Sequence, residues 1–175
     1  MSSEHDTDRP APGELWRVQR LINTFDVEEG TDALDGAWLV EHGLAASSEV
    51  PLAPVVELRE ALRALLLSHN GEPVDRGAVA ALEQLSSRAG VAVSFAPDGT
   101  PVLGAAGPVG RALAIIARAS ADGTWERLKV CPADDCRWAF YDFSRNHSRT
   151  WCSMSACGNR AKARSYRSRQ PKASA

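Results

Sequence analysis

Apolar residues recur at helical spacing through most of the first 126 positions of this 175-residue chain. In GELWRVQRLINTF, Leu15, Val18, Leu21, Ile22 and Phe25 fall on one stripe, and in DALDGAWLVEHGL, Leu34, Trp38 and Leu39 form a second that stops at Gly43. After the loop SSEVPLAP, the segment PVVELREALRALLLSHNG predicts the strongest helix. Pro54 suits its first turn, Leu58, Leu62, Leu65 and Leu66 line one face, and Asn70-Gly71 ends it. Asp75 as N-cap and Gly90 as stop bracket a fourth helix in VDRGAVAALEQLSSRAG. VAVSFAPDGTPVLG then alternates around Pro97-Asp98-Gly99, predicting a hairpin, and PVGRALAIIARASADG predicts a fifth helix. The expected architecture is mainly α with one β-hairpin, an α+β body over residues 14–126.

The pattern changes after residue 126. RWAFYDFS alternates like a short strand, RNH turns the chain and RTWCS returns, so a second hairpin is expected, with Trp138, Phe140 and Trp151 as its miniature core. From Ser155 onward SACGNRAKARSYRSR suits a helix. Ala156, Asn159, Ala163 and Tyr166 would form the face that docks it on the hairpin, with Arg160, Arg164 and Arg167 on a neighbouring face. Residues 1–13 and 170–175 read as a disordered leader and tail.

The same segment holds all four cysteines, Cys131, Cys136, Cys152 and Cys157, as two C-x4-C clips separated by fifteen residues. Four thiolates on two short loops match the need of a structural zinc ion for four tetrahedral ligands, whereas a redox dithiol is normally C-x-x-C. Folding of residues 127–169 is therefore expected to depend on one Zn2+, because so short a segment buries too little apolar surface to fold unaided. The product would be a small zinc-stabilised β-hairpin plus helix, a treble-clef-like or ribbon-like finger. His147, the nearby rival ligand, is left as a surface residue.

Charge adds a partner. Residues 1–126 carry 9 Lys/Arg against 19 Asp/Glu, while residues 127–175 carry 11 against 3, so an acidic body wears a basic tail. That asymmetry points to nucleic acid, with Arg160, Arg164, Arg167, Asn159, Lys162 and Arg169 on the helix and Arg145 and Arg149 on the preceding turn as candidate contacts. Arg160 and Asn159, nearest the metal, are the candidates for base edges, and the others for phosphates. Phosphate contacts do not distinguish double-stranded DNA from RNA, and a protein-interaction finger is the other alternative.

Other classes find less support. The chain has no apolar run of 18 residues and no basic-then-apolar start, so neither a membrane span nor a secretory signal is expected, and a cytoplasmic location is. Gly104, Gly107 and Gly110 lack the βαβ context of a dinucleotide loop and read as a turn, while His42 and His69 sit quietly at helix ends. No catalytic constellation emerges, so an enzyme is not expected.

The pattern CxxxxCRWAFYDxSRNxSRxWCSMxxCGNRxKARxYRxR resembles the CGNR zinc finger. The body resembles the ABATE domain that precedes it in bacterial stress-responsive transcription regulators, on Asn23-Thr24, WLVEHGL, LREALRALLLSHNG and ADGTWERLKVC. The family often has an acidic-aromatic pair before the Asn-Thr, where this chain has Arg20-Leu21-Ile22. The resemblance implies zinc on the four cysteines and a DNA-binding transcription regulator. Its body would sense a small-molecule effector or form a homodimer.

Overall fold

The computed structural model describes residues 9–169, without the side chains of Ser165, Ser168 and Arg169. The leader and tail expected to be disordered therefore lie largely or wholly outside the described residues. The fold is mostly helical, with three small antiparallel strand pairs. Helix α1 is Leu15–Ile22, α2 is Gly36–Glu41, α3 is Ala53–Leu65, α4 is Arg76–Arg88 and α5 is Gly107–Ala121. All five arise in the segments where the apolar spacing predicts them, but Phe25 and Leu34 lie outside α1 and α2, and α3 ends at Leu65 with a separate 3-10 turn at Ser68–Asn70 before Gly71. Asp75 caps α4 by accepting from the backbone N–H groups of Gly77 and Ala78 at 2.8 and 3.0 Å, and Gly90 closes it at φ 59°. None of these helices would be stable alone at such lengths, so their apolar faces must be covered by one another. Leu15, Val18, Leu21 and Ile22 of α1 meet Leu58 and Leu62 of α3 and Ala112 and Ile115 of α5 in one buried core.

Strands β1 (Phe25–Asp26) and β2 (Thr31–Asp32) form a short ribbon after α1 that no sequence pattern announces. It is pinned from below by Arg59, which is almost wholly buried and reaches Asp32 at 2.7 Å and the Thr24 hydroxyl at 3.0 Å. The hairpin of β3 (Ala92–Phe95) and β4 (Pro101–Gly104) forms as expected, turning through Gly99 at φ 83°.

The last strand pair differs from expectation. β6 (Ala139–Tyr141) lies inside the segment read as a strand, but its partner is β5 (Leu128–Val130) on the other side of the first cysteine clip, in register Val130 to Ala139 and Leu128 to Tyr141. Thr150–Ser153 is not a strand. The reason is packing: Leu128, Val130, Ala139 and Tyr141 sit in the core of the body, while Phe140 turns the opposite way into the cysteine cluster with Trp138 and Trp151 partly buried around it. One ribbon thus serves two cores.

Helix α6 (Asn159–Arg169) follows a single π-helical turn, Met154–Gly158. The face expected to dock it is open instead: Asn159 and Ala163 are exposed, and Tyr166 is 62 % exposed. The helix is held at its first turn, by Arg160.

Candidate metal centre and nucleic-acid interface

The first clip is shaped by β5 and β6. Cys131 donates its N–H to Trp138 at 2.9 Å, and the N–H groups of Cys136 and Arg137 both reach the Ala133 carbonyl. Arg137 then turns the chain at φ 54°. In the second clip Ser153 caps the π turn by accepting from Ala156 N–H, and Cys157 projects from that turn. The four sulfurs are buried and lie within 4.8 Å of one another, with Cys136 to Cys152 at 3.5 Å and Cys152 to Cys157 at 3.6 Å. Four sulfurs about 2.3 Å from a common centre would be roughly 3.8 Å apart, and a disulfide needs about 2.05 Å. The cluster therefore fits a tetrahedral ion with thiolate ligands.

Electrostatics agree. Hydrogen bonds from Cys136 and Cys152 lower the Cys131 thiol far below its ordinary value, while the contact with Cys131 raises Cys136 and Cys152. Without a cation, the sulfurs would share protons rather than all carry charge. Beside them, Arg160 Nη2 donates to Cys157 Sγ at 3.2 Å and Nη1 to Glu28 Oε1 at 2.9 Å. The Cys157 sulfur and then the Glu28 carboxylate hold this guanidinium above its usual value. An N–H donor on a ligating sulfur supports its thiolate form.

The loop between the clips rests on residues that sequence patterning did not single out. Lys129 is 4 % exposed and Asp142 0 %. They pair at 2.9 Å, and Lys129 Nζ also donates to the carbonyls of His147 and Arg149 at 2.7 and 3.0 Å. Asp142 in turn accepts from the backbone of Ser144 and Arg149. Burial pushes the Asp142 carboxyl up, but hydrogen bonds from Lys129 and Ser144 outweigh this and hold it at about 2. The signal available in the sequence was a lysine between two apolar residues of a strand that runs straight into a cysteine.

The candidate nucleic-acid contacts divide into two groups. Lys162, Arg164 and Arg167 are exposed on α6 and Arg145 on the preceding loop; Arg164 lies only 3.6 Å from Asp135, at the helix base. Arg160 is committed to Cys157 and Glu28, and Arg149 to the carbonyls of Trp151 and Cys152 with its guanidinium over the Phe140 ring. Asn159 donates to Ser155 O at 3.1 Å while remaining exposed. The Arg169 side chain lies outside the described residues. His147 is exposed at φ 51°.

Two family comparisons match the chain in sequence order. The ABATE family, described as "Putative stress-induced transcription regulator", matches residues 17–123. The chain belongs to the ABATE family. The CGNR zinc finger matches residues 127–170 directly after it, and neither family is an enzyme type. A search of curated proteins finds no match. No helix among the described residues is long and apolar enough to cross a membrane.

In this ABATE protein two of the body motifs that carry the resemblance, Asn23-Thr24 and the end of LREALRALLLSHNG, reach the finger. Asn23 makes a two-bond clamp on β6, donating to Ala139 O at 2.9 Å and accepting from Ala139 N at 2.7 Å. Asn70 donates to Val130 O at 2.8 Å and Thr150 O at 3.1 Å. His69 Nδ1 donates to Leu128 O at 2.7 Å, since a carbonyl can only accept, and burial lowers this imidazole from its ordinary value. The Asn-Thr and Ser-His-Asn-Gly segments of the body thus contribute backbone-satisfying partners for the ribbon that bears the first clip.

Proposed function

We propose that this ABATE protein is a cytoplasmic DNA-binding transcription regulator. One structural zinc ion per chain on Cys131, Cys136, Cys152 and Cys157 fixes the finger at residues 127–169, and a body at residues 14–126 adjusts it in response to a ligand or to a second copy. Zinc would bring the folding energy that so small a cysteine-centred core lacks, on the order of 10 to 16 kcal/mol in finger peptides. The observation that carries the reading is the basic helix: α6 leaves the metal clip with Lys162, Arg164 and Arg167 exposed, anchored at its base by Arg160. A rigid mount with exposed cations beyond it is what phosphate binding asks of a protein element. Arg160 and Arg149 act as struts in this reading, and Arg145 extends the positive surface from the loop.

Competition among duplex DNA, structured RNA and an acidic polypeptide for the zinc-loaded full chain tests it, together with selection of bound DNA fragments. Preferred binding of duplex DNA, weakened at least tenfold by Arg164→Ala with Arg167→Ala, is the expected result. Preferred binding of RNA or polypeptide overturns it. A palindromic selected motif would indicate a symmetric dimer.

A further inference from the structure

A second charged site lies in the body, away from the metal. Arg17 of α1 and Arg111 and Arg118 of α5 line one cleft of about 230 Å3, with Glu14 as its carboxylate and Leu103 and Ile115 among its apolar walls. The body carries only nine Lys/Arg among nineteen Asp/Glu, so three arginines around one carboxylate reverse the sign of their surroundings. Glu14 neutralises at most one of them, binding Arg118 at 2.9 Å and Arg17 more loosely at 3.4 Å. Arg111 has no partner among the described residues, and the Nε of Arg17 is buried without one.

The cleft is also built to hold its arginine in place. The guanidinium of Arg17 donates to Gly43 O at 3.3 Å, and a Cβ on Gly43 would come within 2.6 Å of its Nη1. Gly43 itself sits at φ 67°, where a side chain is strained in any case. A glycine in the left-handed region thus ends α2 and also leaves room for Arg17.

We propose that this cleft binds a small organic anion carrying two or three carboxylates. Guanidinium forks match carboxylate and phosphate oxygens alike, and Leu103 at the edge of this mostly polar cleft offers a small apolar contact for the hydrocarbon part that sets an organic acid apart from phosphate. The volume suits a metabolite rather than a drug-sized molecule. The site names the ligand class for the sensing role given to the body above and rests on that role. α1 supplies the link: Arg17 faces the cleft, and Gln19 and Asn23 farther along the same segment contact Ala139 of the finger ribbon.

Isothermal titration of the zinc-loaded full chain, without DNA and at constant ionic strength, tests the proposal with acetate, succinate, citrate and inorganic phosphate as probes. Succinate or citrate should saturate one site with Kd below about 1 mM. Arg111→Gln, a change at an exposed helix position, should weaken it about tenfold, while Arg20→Gln on the exposed side of α1 should not. No saturable binding, equal loss in Arg20→Gln, no loss in Arg111→Gln, or phosphate binding as tightly as the organic acids would each overturn the assignment. Because no DNA is present, failure here leaves the DNA-binding reading standing, and failure of that reading leaves this result intact.

Discussion

Arg160 ties the metal clip to the body through a single guanidinium. Its place three residues after Cys157 makes it a natural base reader by spacing, yet its guanidinium folds back to the Cys157 sulfur and across to Glu28 in the body. Arg160→Ala is therefore expected to weaken metal affinity about 10- to 100-fold, as loss of an outer partner to a ligand does, measured by competition with a chromogenic chelator. Unchanged zinc affinity with relaxed DNA sequence preference would restore the base-reading role. The Lys129–Asp142 pair has a different signature. Removing one partner of a buried pair costs about 3 to 5 kcal/mol, whereas Lys129→Met with Asp142→Leu should cost less than either change alone. The sign of the pH effect follows from the carboxyl at about 2. Its folded value is depressed, so the stability it adds is full above the unfolded value of about 4 and is lost as pH falls toward 2. The gap between wild type and Asp142→Asn in urea melts should close over that window, and a gap independent of pH would show that Asp142 contributes by shape alone.

At the scale of elements, the helices of the body were legible because each carries its own apolar stripe and stop signals, as Asp75 and Gly90 do for α4. The cysteine clips were legible because spacing alone implies four convergent ligands. The partner of β6 was not, since RWAFYDFS has the same alternation whether it pairs forward or backward, and only the fit of Leu128 and Val130 into the body's core selects β5. The ribbon of β1 and β2 escaped for a related reason: two-residue strands have no period, and Arg59 decides where they lie. The freedom of α6 was also illegible, because an alanine and tyrosine face looks like a docking face, and only the structure shows Ala163 and Tyr166 exposed. That freedom has a measurable consequence. Four exposed cations, Lys162, Arg164, Arg167 and Arg145, neutralising about four phosphates give a salt slope of about −4 in log K against log salt. Arg164→Ala should flatten it by about one, since its half-exposed contact with Asp135 is readily exchanged for a phosphate. A slope near zero in the full chain would remove α6 from the interface.

Across the whole molecule, the acidic body and the basic finger are distinct in charge and in family, but not in packing. A separate finger core would let the body survive any damage to the metal site, and the cysteine cluster with Phe140 does form a core of its own. The ribbon beneath it, however, places Leu128, Val130, Ala139 and Tyr141 in the body's core, and Asn23, His69 and Asn70 satisfy its backbone from the body side. Loss of metal should then release the second clip and α6 while loosening the face of β5 and β6 that Phe140 anchors. Unfolding should be one calorimetric transition in the zinc-loaded protein, and chelation should shift that transition downward as well as reduce its enthalpy. At about 2 to 4 °C per kcal/mol for a chain of this size, a coupling of even a few kcal/mol moves the midpoint by roughly 5 to 10 °C. Asn23→Ala, which strands the Ala139 N–H at a cost of about 1 to 3 kcal/mol and leaves its carbonyl only the long Gln19 contact at 3.5 Å, should shrink the chelator-induced shift by weakening the seam through which it travels. Two separate transitions, with only the lower one sensitive to chelator and the upper one unmoved by either treatment, would mean that body and finger fold independently despite their shared ribbon.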